Sequence, residues 1–151
     1  MKFYPLSFLI FCYSALSQTA LHPSGVRDKC LNIQWGIFAN GTPVQIANCN
    51  GRAAQQWILS LGPTTVCLAG TEFCLDSTFK IPPYRVPMKI WECVDGAPEQ
   101  QWAYIVTTAG GRLALANQEI CLDLRGGDLT GSNPIQVWEC ANGVTNQIWT
   151  S

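Results

Sequence analysis

Three Gln-x-Trp motifs, each trailing a pair of cysteines 19 residues apart, constrain this chain more than any other feature. The pairs are Cys30 with Cys49, Cys74 with Cys93, and Cys121 with Cys140. The motifs run from Gln55 to Trp57, Gln100 to Trp102 and Gln147 to Trp149, with tryptophans 45 and 47 residues apart. The segments between the paired cysteines also align: CLNIQWGIFANGTPVQIANC, CLDSTFKIPPYRVPMKIWEC and CLDLRGGDLTGSNPIQVWEC. A period of this length marks one supersecondary unit repeated, each copy too small to bury its hydrophobic face alone. Copies at about 20–61, 62–107 and 108–151 are therefore expected to share one core.

Within each copy, short alternating runs at 44–47, 88–91 and 135–138 are bounded by Gly, Pro and Asn. That is the pattern of strands, and the breakers arrive too often for long helices. The expected fold is all-β, a closed barrel with pseudo-threefold symmetry. A three-bladed propeller is the alternative, disfavoured because propellers typically have about four to eight blades. Trp57, Trp102 and Trp149 are expected in the core, since one large aromatic per copy suits a packed layer.

Lys2 and the apolar run Leu6–Leu16 (LSFLIFCYSAL) have the form of a secretory leader, residues 1–17. Ala15 and Ser17 are the small residues ahead of the cut. The run is about half the ~20 residues a membrane span needs, so no membrane insertion is expected. The remaining domain, 18–151, would work outside the cell, where disulfides persist. Equal separations favour one bridge within each copy among the several pairings open to six cysteines. Each would close a loop worth about 3 kcal/mol in the chain-entropy description. Cys12 then leaves with the leader, and Cys67, within the apolar Val66–Leu68, is expected to be a buried, inert thiol. The absence of a CxxC pair and the single histidine, His22, argue against zinc.

Only 13% of the residues are charged, the net charge is −1 and no basic run exists, so nucleic acid is not an expected partner. An enzyme is not expected either. The duplicated acids, Asp76 with Asp123 and Glu92 with Glu139, lie in different copies, too far apart for a glycosidase pair. No nucleophile motif for a serine hydrolase is present.

The Cys-Leu-Asp or Cys-Leu-Asn openings, the Gln-x-aromatic-x-Cys closings and the three Gln-x-Trp motifs together resemble the ricin B-chain-type lectin domain. The resemblance spans about 20–151 and is greatest to secreted single-domain members of the kind found in fungi. It implies a β-trefoil of about twelve strands with shallow sugar sites, glycan partners of the galactose or N-acetylgalactosamine type, and neither metal nor cofactor. Carried over residue by residue, it puts the sugar contacts of the third copy on Asp123, Gln136, Trp138, Asn146 and Gln147. The second copy keeps Asp76, Trp91 and Gln100 but has Lys89 and Glu99 where the pattern has Gln and Asn, an incomplete second site. In the first copy Asn32, Ala47 and Ala54 replace the acid, the aromatic and the amide.

The residues support the same chemistry without the family. If Cys121 and Cys140 face each other on an unbroken antiparallel ladder, Asp123 and Trp138 are also opposite and share a face. A pyranose needs that combination, an aromatic ring for its C–H face and a carboxylate for its hydroxyls. A protein-binding trefoil such as a secreted protease inhibitor is the alternative function, because fold does not settle function. Asn40-Gly41-Thr42 forms an N-glycosylation acceptor whose use Pro43 would reduce. Trp35 has no counterpart in the other copies, and either an exposed contact or loop packing would suit it. The oligomeric state is not specified.

Overall fold

The computed structural model of the protein describes Cys12 and residues 17–151. Apart from Cys12 and Ser17, the expected leader lies outside the described residues. Thirteen strands and five 3-10 turns are present among the described residues, and no α-helix. Twelve strands fall into three sets of four, one per copy, while Gly62–Thr64 adds a thirteenth along Trp102–Thr107. Trp57–Ile58 pairs with Cys67–Leu68, and Trp102–Thr107 pairs with Gly110–Leu115. Trp149–Thr150 returns to His22–Pro23, which closes the barrel into a β-trefoil.

Each copy contributes a long hairpin: Lys29–Ile33 with Val44–Asn48, Phe73–Asp76 with Lys89–Glu92, and Ile120–Leu124 with Ile135–Glu139. Alternation along these strands sends Leu31, Ile46, Leu75, Ile90, Leu122 and Val137 into one fully buried core. The three motif tryptophans join them at 0% exposure. A buried indole N–H needs an acceptor, and all three use the equivalent carbonyl of their own copy. Trp57, Trp102 and Trp149 donate to the carbonyls of Leu31, Leu75 and Leu122 at 3.1, 3.2 and 3.1 Å. Where the barrel closes, Tyr104 donates to the Trp149 carbonyl at 3.1 Å. Only glycine fits beside it, since a Cβ on Gly111 would overlap the Tyr104 ring.

The three equal-spaced bridges form as expected, with Cα atoms 5.1, 5.1 and 5.0 Å apart. Their register differs from the expected one. Cys121 lies opposite Trp138 and Asp123 opposite Gln136, so Asp123 and Trp138 are diagonal neighbours on one face rather than partners. The strand ends at Glu139, and Cys140 crosses the end of the ladder to reach Cys121. The same shift occurs at Cys30↔Ala47 and Cys74↔Trp91.

A fourth bridge corrects the expectation for Cys67. Its sulfur is bonded to Cys12, and no described cysteine is free. Cys67 pairs directly across the ladder from Cys74, so its sulfur lies 3.6 Å from that of Cys74 in a cluster that also holds Cys93. Equal spacing could not reveal this bridge, because neither Cys12 nor Cys67 belongs to the repeat.

The hairpin tips interlock in a ring. The N–H of Gly41, in the first tip, donates to Ile90 in the second hairpin; Arg85 in the second donates to Val137 in the third; Ser132 in the third donates to Ile46 in the first. Every hairpin therefore has its outer strand covered by the tip of the preceding copy.

Candidate carbohydrate-binding site

The outer face of each hairpin is the face not used by the core, and a 3-10 turn folds beneath it. These turns, Ala53–Gln55, Pro98–Gln100 and Thr145–Gln147, place each motif glutamine against the residue two positions after the first cysteine. Gln147 is 1% exposed: its amide donates to Asp123 at 3.2 Å and to the Glu139 carbonyl at 2.8 Å, while its oxygen accepts the Ala141 N–H at 3.0 Å. Gln55 and Gln100 make equivalent bonds to Asn32 and Asp76. Both N–H donors of Gln147 are thus committed to the protein, and the residue positions the carboxylate instead of presenting its own donors to a ligand. Its occurrence in all three copies, including the one without an acid, fits that role.

In the third copy Asp123 receives a second amide, from Gln136 at 2.9 Å. A carboxylate offers about four lone-pair positions. Two are taken by the amides, which leaves two for hydroxyls. Asp123, Gln136, Trp138, Asn146 and Gln147 all line one cavity of about 460 Å³, together with Arg85 and Arg125. Asn146 stands at the rim, where Gly127 makes room for it: a Cβ at 127 would come within 2.6 Å of the Asn146 Oδ1. Trp138 is half-buried and does not stand alone. Tyr84 packs on it with ring centroids 5.4 Å apart, and the Arg85 guanidinium lies 5.2 Å from its centroid. Both come from the second tip, a contribution that reading each copy separately misses.

The second copy is different. The Lys89 ammonium lies 3.9 Å from an oxygen of Asp76 and 4.5 Å from the Trp91 centroid. The cation occupies the space between the acid and the ring, where a sugar would have to stand. Asp76 also accepts the Gln100 amide at 3.0 Å and the Thr78 N–H at 2.7 Å. Glu99 uses its backbone carbonyl to accept from Ser77. In the first copy Asn32 bonds to Gln55 and to the Ile33 carbonyl, and Ala47 stands where the third copy has Trp138. Asn40 is exposed, with its side-chain oxygen accepting the Glu92 N–H at 2.7 Å. Trp35 is 81% exposed, which resolves its role toward surface and away from loop packing.

Burial pushes the Asp123 carboxyl above the ordinary aspartate value, and the Gln136 and Gln147 amides offset part of that rise. Protonation removes the charge that sugar hydroxyls would donate to. Affinity for a sugar in this cavity should therefore fall as pH drops, through a midpoint above that of an exposed aspartate, which is about 3.9. The stability effect has the opposite sign. Because the folded value exceeds the unfolded one, the fold weakens as pH rises through that window. Calorimetric titrations at pH values from about 3.5 to 7 would check the first effect; an affinity flat across that range contradicts it.

No curated protein sequence matches the chain. A family model described as the ricin-type beta-trefoil lectin domain matches residues 17–150. Among solved structures, the chain is similar to the Macrolepiota procera ricin B-like lectin in complex with lactose, at 18% identity and a TM-score of 0.69, over 91% of this chain and 95% of that one. It is also similar to the C-half of the earthworm R-type lectin in complex with GalNAc, at 20% identity and a TM-score of 0.63, over 87% and 96%. The same fold makes up 29% of an exo-beta-1,3-galactanase chain from Clostridium thermocellum, at 21% identity and a TM-score of 0.77, over 89% of this chain.

Proposed function

The chain belongs to the ricin-type β-trefoil lectin domain family, and from that premise we propose that it binds galactose- or N-acetylgalactosamine-type glycans through its third repeat. One observation carries this reading. Asp123 alone among the three equivalent positions combines a negative charge, free lone pairs and an aromatic wall around an open cavity. An axial 4-hydroxyl brings O3 and O4 of a galactoside together, so both can donate to one carboxylate in charge-assisted bonds. Trp138 supplies apolar surface for the C–H face, and Asn146 an amide at the rim. The site needs no metal, since its acceptor acts directly. Among the described residues Asp123 is the only carboxylate lining the cavity, whereas glycoside hydrolysis ordinarily uses two. The role is binding without turnover.

Calorimetry with lactose is the direct test, with an expected stoichiometry near one per chain and weak affinity, because a shallow cleft buries little of its ligand. Two or three equivalent sites would contradict the assignment to the third repeat. Inhibition of proteases with no glycan bound would favour the protein-binding alternative.

We also propose that the protein is secreted, with residues 1–17 as the leader and Asn40 as a glycosylation acceptor. The three repeat disulfides, which cleavage leaves in place, suit an oxidising compartment. Cleavage after Ser17 and the Cys12–Cys67 bridge belong to different molecules. Terminal sequencing and non-reducing peptide mapping of the exported chain distinguish them. A start at Gln18 is expected, and recovery of a Cys12–Cys67 peptide would overturn the cleavage.

A further inference from the structure

The third site differs from its two counterparts in charge as well as in openness. Arg85 and Arg125 line the cavity with Asp123, two basic residues to one acidic one. Neither has a carboxylate within ion-pair distance, since Lys89 with Asp76 is the one salt bridge among the described residues. Asp123 is not their partner, and it lines the cavity beside them.

The pseudo-threefold symmetry gives an internal comparison. The tip residue whose N–H bonds the neighbouring hairpin is Gly41 over the second site, Arg85 over the third and Ser132 over the first. All three have positive φ, 88°, 71° and 72°. That conformation favours glycine, and an arginine there is held against its backbone preference. The residue two places after the acid position is Gln34, Thr78 or Arg125. Both arginines, one from the second tip and one from the third copy, therefore border the one site that keeps acid, amide and aromatic together. The Arg85 guanidinium is also placed: its backbone is tied to Val137 at 2.9 Å and its head lies over the Trp138 ring.

We infer that the third site prefers galactosides carrying an anionic substituent, a sulfate ester or the carboxylate of an acidic sugar. The inference rests on the galactoside reading above and names the ligand class for that site. A neutral galactoside would satisfy Asp123 and Trp138 while leaving two guanidiniums at its edge without a counterion. Sulfate and carboxylate both match the planar fork of a guanidinium, which can bind either with two parallel N–H donors. Because the arginines are exposed, the gain should be sensitive to salt.

Binding would be measured for lactose, for lactose sulfated at O3 or O6 of its galactose, and for lactose sialylated at the same positions. At least one anionic form is expected to bind about tenfold or more tighter than lactose at low salt. The sulfated and sialylated arms tell which anion is meant. The ratio should shrink as NaCl rises from about 0.05 to about 0.5 M, and should approach one in the double variant Arg85→Gln, Arg125→Gln. Lactose bound as tightly as every anionic form overturns the inference and leaves the galactoside reading standing. So does an anionic preference that survives the double substitution. Failure of all five ligands to bind overturns the galactoside reading itself.

Discussion

Trp149→Ala is expected to lower the unfolding free energy by about 3–5 kcal/mol, the usual range for truncating a fully buried aromatic. Trp149 has no exposed surface, and its strand closes the barrel against His22–Pro23. Its loss opens a cavity in the shared core and leaves the Leu122 carbonyl without its indole donor. An unpaired buried acceptor adds about 1–3 kcal/mol to the cost. Trp138→Ala is the control. That ring is half-buried and packs on Tyr84, itself 49% exposed, so its removal should cost under about 1 kcal/mol. Urea unfolding followed by circular dichroism would measure both. A Trp138→Ala variant as unstable as Trp149→Ala would make Trp138 a core residue and remove the aromatic wall from the site.

Asp123→Asn is expected to abolish measurable lactose binding while leaving the fold intact. The charge-assisted bonds to the sugar become neutral ones of about half the strength. The new amide also presents N–H groups where Gln136 and Gln147 already donate. The fold should tolerate the change because the first copy already houses an asparagine at this position, with Asn32 accepting from Gln55 at 3.1 Å. Removing a carboxyl whose ionised form is disfavoured by burial also relieves a cost at neutral pH. Asp76→Asn should leave lactose binding unchanged, since Lys89 already fills that site. Calorimetry on the two variants, with melting curves as the folding check, separates the copies. Full binding by folded Asp123→Asn would remove the third repeat from the mechanism.

Much of this was legible in the chain before any coordinates. Trp57, Trp102 and Trp149 could be placed in the core because a threefold repeat of one large aromatic has few other uses. The three bridges followed from a constant separation. The acid, amide and aromatic of the third site followed from the resemblance to the ricin-type pattern, and departures from that pattern in the second marked it as incomplete. What matching could not show was the physical consequence of Lys89: that its ammonium would lie between Asp76 and Trp91 and act as the ligand of its own site. Side-chain reach decides that. Nor could it show that the Gln147 donors are committed to the protein, because a glutamine reads the same in sequence whether its donors face a cavity or a backbone carbonyl.

Periodicity and composition determined the fold class and the shared core, because these depend on residue type and spacing along one chain. Tertiary structure decided three things that depend on contacts between copies or across a strand end. It shifted the hairpin register by two, since the second cysteine bridges diagonally past the ladder. It brought Cys67 to Cys12, outside the repeat altogether. It also set Tyr84 and Arg85 of the second copy on Trp138 of the third. Each hairpin tip covers the next hairpin, so the third cavity is lined by two copies at once, and no single repeat carries its full description.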